Sequence, residues 1–201
     1  MPGPAKQFDP DEALDSAMRV FWARGYESAP VSELMKAMSL SKKSLYDTFG
    51  NKRTLFIKSL RRYAQVMGAE ISLALNKDVS PMKNLKYLLR SWQKQATQRG
   101  SVGCMIGTNV ADFDLSDPEV AGILRSMLEH VEQAFHRCLK AAVEAGELDA
   151  SVKTRDVART LVAVSQGMAL LGRVQESETF LNSAEAGVMS LLQSRNSLEA
   201  V

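Results

Sequence analysis

The chain has 201 residues, a length that fits one or two domains. Hydrophobic residues make up 45% and charged residues 24%, the balance of a soluble globular protein, which excludes disordered and fibrous chains. No apolar run approaches the ~18 residues of a membrane span, and the N-terminal residues lack the apolar core of a signal peptide. We therefore expect a cytoplasmic protein without membrane contact, in which Cys104 and Cys138 are reduced thiols.

The net charge of +2 hides an uneven distribution of charge along the chain. Residues 1–63 contain eleven Lys and Arg against seven Asp and Glu. The stretch from Lys36 to Arg62 contains eight basic residues and one acid, Asp47. This basic N-terminal third indicates a surface that meets a polyanion, although a lysine-rich, solvated helix face would leave the same pattern.

Helix signals begin in the first third of the chain. Asp9-Pro10 is a capping residue followed by proline at the first helical position, and an apolar stripe follows it. Two short helices are predicted at residues 31–38 and 42–49, and Ser41 caps the second. Two short helices joined by a three-residue turn are the plan of a helix-turn-helix motif. The alternative is an ordinary α-hairpin inside a helical bundle.

The rest of the chain alternates amphipathic segments with breaks rich in Gly, Pro, Ser and Asn. No strand-like alternation and no internal repeat is present. We therefore predict an all-α fold of about nine helices. The later helices are expected at about residues 52–75, 81–99, from 104, 118–145, 154–173 and 177–195.

The second short helix carries side chains suited to DNA recognition. Such a helix presents short polar and basic groups to the major groove, while neighbouring groups donate to phosphates. Asp47 can accept from a cytosine amino group or pair with a lysine, and Lys52 lies at a helix N-terminus, which favours phosphate. The predicted DNA-contacting residues are Ser32, Ser41, Lys42, Lys43, Ser44, Tyr46, Asp47 and Lys52.

Two runs in the N-terminal quarter resemble a known family. Residues 13–27, ALDSAMRVFWARGYE, are similar to the first helix of the TetR family of transcriptional regulators. Residues 41–56, SKKSLYDTFGNKRTLF, are similar to its recognition helix and the start of its fourth helix. The resemblance implies a homodimeric regulator, most often a repressor, that binds double-stranded palindromic operator DNA and is released by a small-molecule inducer.

The resemblance also implies a division of the chain into two domains. The helix-turn-helix DNA-binding domain would occupy residues 1–50, with the motif at about 29–48 and the domain edge at about 66. A ligand-binding and dimerisation domain would occupy residues 51–201.

Three residues depart from the family's pattern. Pro30 stands where a Thr or Ser commonly caps a helix, so one phosphate-touching hydroxyl is lost. Ser39 replaces a frequent turn glycine, so the turn must accommodate its side chain. Lys43 replaces a common glycine, and we expect it to contact a guanine or a phosphate.

A ligand pocket is predicted among the helices of the C-terminal part. Methionines are adaptable pocket walls, although methionine at helical spacing is also typical of a plain core. Polar candidates are few, so an apolar or small electrophilic inducer fits better than a charged one. The predicted lining residues are Met67, Trp92, Cys104, Met105, Asn109, Phe113, Met127, His130 and Met168.

Cys104 opens one of the predicted helices, where the helix dipole favours a thiolate. Residues 103–109, GCMIGTN, are similar to a Gly-Cys-apolar-Asn start found in one large subgroup of the family. Some regulators with a similar start sense electrophiles or oxidants, which the resemblance implies as an option here. Inert packing in the core is the alternative.

The last two predicted helices carry apolar stripes. The resemblance implies that they form a four-helix bundle across a two-fold axis, which would separate two recognition helices by about 34 to 36 Å. The alternative is that the stripes face only their own core. The predicted dimer residues are Leu161, Val164, Met168, Leu171, Phe180, Ala184, Val188 and Leu191.

Patterns for catalysis are weak. His130 and His136 fall on different faces of one helix, and no nucleophile–base spacing, phosphate loop or dinucleotide fingerprint is present. We therefore expect no enzyme activity, no cofactor and no metal site. The alternative function is a helical dimeric interaction protein without specific DNA binding.

Overall fold

The computed structural model describes residues 8–77, 80–98, 100–112, 117–174 and 178–194. Within these residues the chain is helical, which confirms the predicted all-α fold, and no helix there is long and apolar enough to cross a membrane. The helices are α1 Pro10–Arg24, α2 Val31–Met38, α3 Lys42–Phe49, α4 Lys52–Leu75, α5 Pro81–Thr97, α6 Met105–Asp112, α7 Pro118–Glu144, α8 Thr154–Leu171 and α9 Glu178–Ser194.

Capping side chains set the starts of α3 and α4. Ser41 Oγ accepts a hydrogen bond from the backbone N–H of Ser44 at 3.1 Å, and Asn51 Oδ1 accepts one from that of Thr54 at 2.9 Å. Each bond satisfies a backbone N–H that has no partner inside its helix. α2 has Pro30 at its cap position and no side-chain cap, as the sequence predicted.

The first three helices share one hydrophobic core with the N-terminal half of α4, with α6 and with the start of α7. Three aromatic rings meet at its centre: Phe56 lies 5.1 Å from Phe21 and 4.9 Å from Tyr26 between centroids. Leu45 and Phe49 anchor the inner face of α3 in this core. The opposite face of α3 is therefore turned to solvent.

A second core joins the C-terminal half of α4 to α5, α7, α8 and α9. Its fully buried side chains include Leu85, Phe135, Leu139 and Leu161. Because α4 and α7 both contribute to the two cores, they connect the two halves of the described chain.

The dimer prediction is wrong at two positions of α8. Leu161 and Met168 are 0% and 3% exposed and pack in the protomer's own second core, so neither can face a partner. Helical periodicity reveals an apolar stripe but not which neighbour covers it. Among the other predicted positions, Leu171 and Phe180 are exposed, Val164, Ala184 and Val188 are half-buried against the same core, and the Leu191 side chain lies outside the described residues.

Candidate functional site

The outer face of α3 is polar and basic. Ser41 and Ser44 lie at its N-terminus with their hydroxyl oxygens 2.9 Å apart, and Ser32 is exposed on the neighbouring helix α2. This face can therefore offer hydroxyl, ammonium and phenol groups to an anionic partner. Its exposed side chains are Lys42, Lys43, Tyr46 and Asp47.

The eight basic residues between Lys36 and Arg62 divide into two groups. The first group contacts acids, carbonyls or rings of the chain itself, and its members are Lys52, Arg53, Lys58, Arg61 and Arg62. The second group is Lys36, Lys42 and Lys43, which are exposed and have no acidic partner within 4 Å among the described residues. The cations available to a polyanion are thus concentrated on α2 and α3.

Lys52 makes two contacts within the chain that the sequence did not predict. Its Nζ donates to the carbonyl oxygen of Glu27 at 3.3 Å and lies 4.7 Å from the centre of the Tyr26 ring. The side chain is half-buried. Lys52 can therefore contact a phosphate in one of two ways. Its ammonium either stays over the Tyr26 ring or leaves the ring to reach the phosphate.

An ion-pair cluster joins the start of α4 to the start of α7. The guanidinium of Arg53 donates two hydrogen bonds to Asp117, at 2.8 and 3.0 Å, and a third to Glu119 at 3.1 Å. Hydrogen bonding to Asp117 raises the pKa of Arg53. Desolvation opposes ionisation of Asp117, but the bonds from Arg53 and from the backbone N–H of Val120 lower its pKa overall.

A cavity of about 510 Å³ lies between the two halves of the chain. Its walls come from α1, α4, α5, the segment 101–106, α7 and α8. No Asp, Glu, Lys or Arg is among its lining residues. The larger apolar and aromatic members are Trp22, Tyr63, Met67, Ile71, Trp92, Ile106, Met127, Val131 and Met168.

The structure brings six of the predicted ligand residues to this cavity and leaves two elsewhere. Met105 is fully buried, and its backbone N–H donates to the Tyr63 hydroxyl at 3.3 Å. The Asn109 amide donates to the Met105 carbonyl at 2.7 Å. Met105 and Asn109 thus hold α6 in place instead of lining the cavity. Met67, Trp92, Cys104, Met127, His130 and Met168 line it, and Phe113 lies outside the described residues.

Sequence reasoning missed two aromatic residues of the cavity wall, Trp22 and Tyr63. The indole N–H of Trp22, on α1, donates to the carbonyl oxygen of Gly103 at 2.9 Å, and its ring meets that of Tyr63 edge-on at 5.1 Å. The Tyr63 hydroxyl donates to Cys104 Sγ at 3.5 Å, and burial raises the pKa of this phenol. No local sequence pattern could reveal these contacts, because Tyr63 and Cys104 are 41 residues apart in the chain and Trp22 and Gly103 are 81 residues apart.

The two cysteines have different surroundings. Cys104 is half-buried and lines the cavity. Cys138 is buried, donates to the carbonyl oxygen of Pro81 at 3.3 Å, and has its pKa raised by burial to about 11. Within the described residues no group of three or more His, Cys, Asp or Glu is placed to hold a metal ion.

Comparison with known proteins gives the same assignment from both halves of the chain. Residues 13–58 match the family model described as "Bacterial regulatory proteins, tetR family", and residues 81–188 match "Tetracyclin repressor-like, C-terminal domain". The HTH-type transcriptional repressor ComR of Escherichia coli (strain K12) is 27% identical over 173 residues, 85% of this chain and 82% of ComR. The uncharacterized HTH-type transcriptional regulator YezE of Bacillus subtilis (strain 168) is 27% identical over 148 residues, 73% of this chain and 76% of YezE.

Among solved structures, the regulator CifR, as a cysteine mutant complexed with 26-base-pair double-strand operator DNA, superimposes with a TM-score of 0.83. It is 25% identical, and the match covers 94% of this chain and 100% of CifR. The α1–α3 core, the basic face of α3 and the helical body around the cavity are features of one protein class. The chain belongs to the TetR family of bacterial transcriptional regulators.

Proposed function

We propose that this regulator is a cytoplasmic, homodimeric repressor without catalytic activity. It binds a palindromic operator, and a small, mostly apolar molecule in the cavity releases it. The observation that carries the proposal is the position of Trp22, which belongs to α1 of the DNA-binding part and also lines the cavity. The DNA-binding part and the cavity are therefore in direct contact through the Trp22 side chain.

In the DNA-binding half of the proposal, residues 1–50 form the domain that contacts DNA. Ser32, Ser41, Tyr46 and Lys52 position the protein on phosphates. Lys42, Ser44 and Asp47 on α3 reach base edges, and Lys43 contacts a guanine or a phosphate. The basic face of α2 and α3 predicts that affinity falls steeply with salt, because each lysine that neutralises a phosphate releases counterions.

The dimer half of the proposal rests on an exposed apolar surface of α8 and α9. Large apolar side chains on these helices and in the turn after α8 are 39% to 73% exposed, and exposed apolar surface is typical of protein interfaces. On α8, Ala163 is exposed and Gly167 is half-buried. Small residues at these positions allow another helix to approach closely. The large exposed residues are Leu170, Leu171, Val174 and Phe180.

Two contacts would carry the signal from the cavity to the DNA-binding helices. The chain between α5 and α7 is fastened to α1 by the Trp22–Gly103 hydrogen bond and to α4 by the Arg53–Asp117 ion pair. An occupant that moves this segment changes the positions that both helices prefer. The release of operator is then a coupling free energy, of the order of 1 to 3 kcal/mol in allosteric proteins.

An electrophilic inducer is the second form of the same proposal. Cys104 favours it, because its thiol lines the cavity next to the Tyr63 hydroxyl. A thiolate at this position would add to an electrophilic carbon, and the adduct would occupy the cavity. If Cys104→Ser is still fully released from operator by electrophiles, the reactive-cysteine form is rejected and the non-covalent form stands.

The test of function is fluorescence anisotropy with DNA from upstream of the regulator's own gene. Binding is measured at two salt concentrations against a scrambled competitor of equal length. Specific binding at nanomolar protein with a two-fold footprint supports the proposal. Equal binding to both DNAs, followed by failure to enrich any sequence from random DNA, would favour a helical dimeric interaction protein without specific DNA binding.

A further inference from the structure

The hydrogen bonding and charge of the cavity wall specify a class of ligand. We propose that the cavity takes an uncharged, fused-ring aromatic molecule that carries a hydroxyl or N–H group, and that Gln166 Oε1 accepts its hydrogen. This inference rests on the proposed function, because it names the ligand class of the same cavity.

The charge of the ligand follows from the lining residues. None of them is Asp, Glu, Lys or Arg, so a charged ligand group inside would lose its water without gaining an ion pair. The imidazole of His130 is the one basic group of the wall, and it is exposed. A neutral ligand body avoids the desolvation cost.

The shape of the ligand follows from the rings and thioethers around the cavity. The rings of Trp22, Tyr63 and Trp92 come from α1, α4 and α5, and aromatic rings pack best against other rings in offset or edge-on contact. Met67 and Met127 add thioethers from α4 and α7, which make favourable contacts at ring edges. A flat fused-ring system can contact the aromatic rings and the thioethers at the same time.

The polar group of the ligand follows from Gln166. Its Oε1 is buried and accepts no hydrogen bond from the described residues, an exception in a protein interior that calls for a partner. Three other polar groups of the wall have partners within the chain: Trp22 donates to Gly103, Tyr63 to Cys104, and the Ser165 hydroxyl to the carbonyl oxygen of Val162 at 2.8 Å.

Gln166 can turn toward a ligand without disturbing its helix. The oxygen lies against α6 at Gly107, where a Cβ would come within 2.8 Å of it. The last torsion of a glutamine side chain is soft, so rotation can turn the oxygen from Gly107 into the cavity that the side chain lines. A ligand hydroxyl would supply the donor that Gln166 Oε1 lacks.

A matched series of tricyclic probes tests each element of the proposal. The probes differ only at carbon 9 of the ring system: fluorene, 9-fluorenone, 9-hydroxyfluorene and 9-fluorenecarboxylate. We measure the concentration at which each probe displaces the neutral fluorophore N-phenyl-1-naphthylamine from the full-length protein. We expect 9-hydroxyfluorene to displace it at about tenfold lower concentration than fluorene or 9-fluorenone. The carboxylate should need at least tenfold more than fluorene. Gln166→Met should remove the preference for the hydroxyl, so that 9-hydroxyfluorene and fluorene displace the fluorophore at equal concentrations. Gln95→Met, at an exposed lining position, should keep the preference.

The outcomes separate this inference from the proposed function. Equal affinity for the three neutral probes, a hydroxyl preference that survives Gln166→Met, tight binding of the carboxylate, or no uptake of the fluorophore would each overturn the ligand class. Operator release is measured separately by anisotropy. Selective binding of 9-hydroxyfluorene without operator release would leave the ligand class standing and contradict the regulatory role of the cavity.

Discussion

The Trp22 indole N–H donates to the Gly103 carbonyl oxygen at 2.9 Å and thereby ties α1 to the wall of the cavity. Trp22→Phe keeps an aromatic ring beside Tyr63 but removes the donor. We expect the free energy of unfolding to fall by about 1 to 3 kcal/mol, because a part-buried carbonyl loses its partner and the ring becomes smaller. Urea denaturation followed by circular dichroism measures the change.

Trp92→Phe is the matched control for this change. Trp92 lines the same cavity and meets Phe135 edge-on at 5.9 Å, but it lies on α5 and makes no hydrogen bond to the described residues of the segment that holds α1. In the operator assay, ligand-induced release should weaken in Trp22→Phe and persist in Trp92→Phe. Equal behaviour of both variants would argue that the hydrogen bond to Gly103 carries no signal.

Gly103 has a backbone conformation and surroundings that exclude a side chain. Its φ is +71°, and a Cβ would lie 2.6 Å from the carbonyl oxygen of Ala169. Gly100 has a similar φ of +79° but nothing within 4 Å of a Cβ. We expect Gly100→Ala to cost about 1 kcal/mol of unfolding free energy from its φ alone, and Gly103→Ala to cost about 2 kcal/mol more. Thermal denaturation of the two variants checks the difference, and similar losses would contradict the close approach to α8.

The helix starts could be predicted from sequence because capping is a local interaction. Ser41 and Asn51 bond to residues only three positions away, so the pattern of residue types specifies the geometry. The outer face of α3 was predictable for a related reason: Leu45 and Phe49 mark its inner side.

The covering of each apolar stripe could not be predicted in this way. Leu161 and Met168 belong to a stripe with correct helical spacing, but these two side chains are buried in the protomer's own core, and Met168 also lines the cavity. Met105 shows the same limit, because its neighbour Cys104 lines the cavity while Met105 points into the core. Which neighbour covers an apolar side chain depends on how helices distant in the chain pack together, and a single sequence contains no signal for that packing.

Ser39 closes the turn between α2 and α3 in a left-handed conformation, with φ of 54°. It is the only residue other than glycine with positive φ in the described part of the chain. An L side chain is strained there, so we expect Ser39→Gly to raise the melting temperature by about 1 to 3 °C. Ser39→Ala keeps a Cβ and should give no increase. A melting temperature that falls in Ser39→Gly would show that the serine hydroxyl stabilises the turn.

Lys43 is exposed on the outer face of α3 without an acidic partner among the described residues. If its ammonium contacts phosphate, Lys43→Gly should weaken binding to all sequences and reduce the slope of log affinity against log salt by about 1. If it contacts guanine, the same change should cost about 1 to 3 kcal/mol at one base pair and relax the preference there. Lys83→Ala, an exposed change on α5, is the control. Unchanged affinity and preference in Lys43→Gly would remove this residue from the DNA interface.

Asp15 on α1 accepts two hydrogen bonds from the Arg62 guanidinium on α4, at 2.8 and 3.1 Å. The bonds from Arg62 hold the pKa of Asp15 below its ordinary value of 3.8. Because the folded pKa is lowered, the carboxylate stabilises the folded state above about pH 4, and this contribution is lost as pH falls through the folded value. We expect Asp15→Asn to have a lower urea midpoint than wild type at pH 7, with the difference shrinking below pH 4. A difference between Asp15→Asn and wild type that stays constant with pH would contradict the ion pair's part in joining α1 to α4.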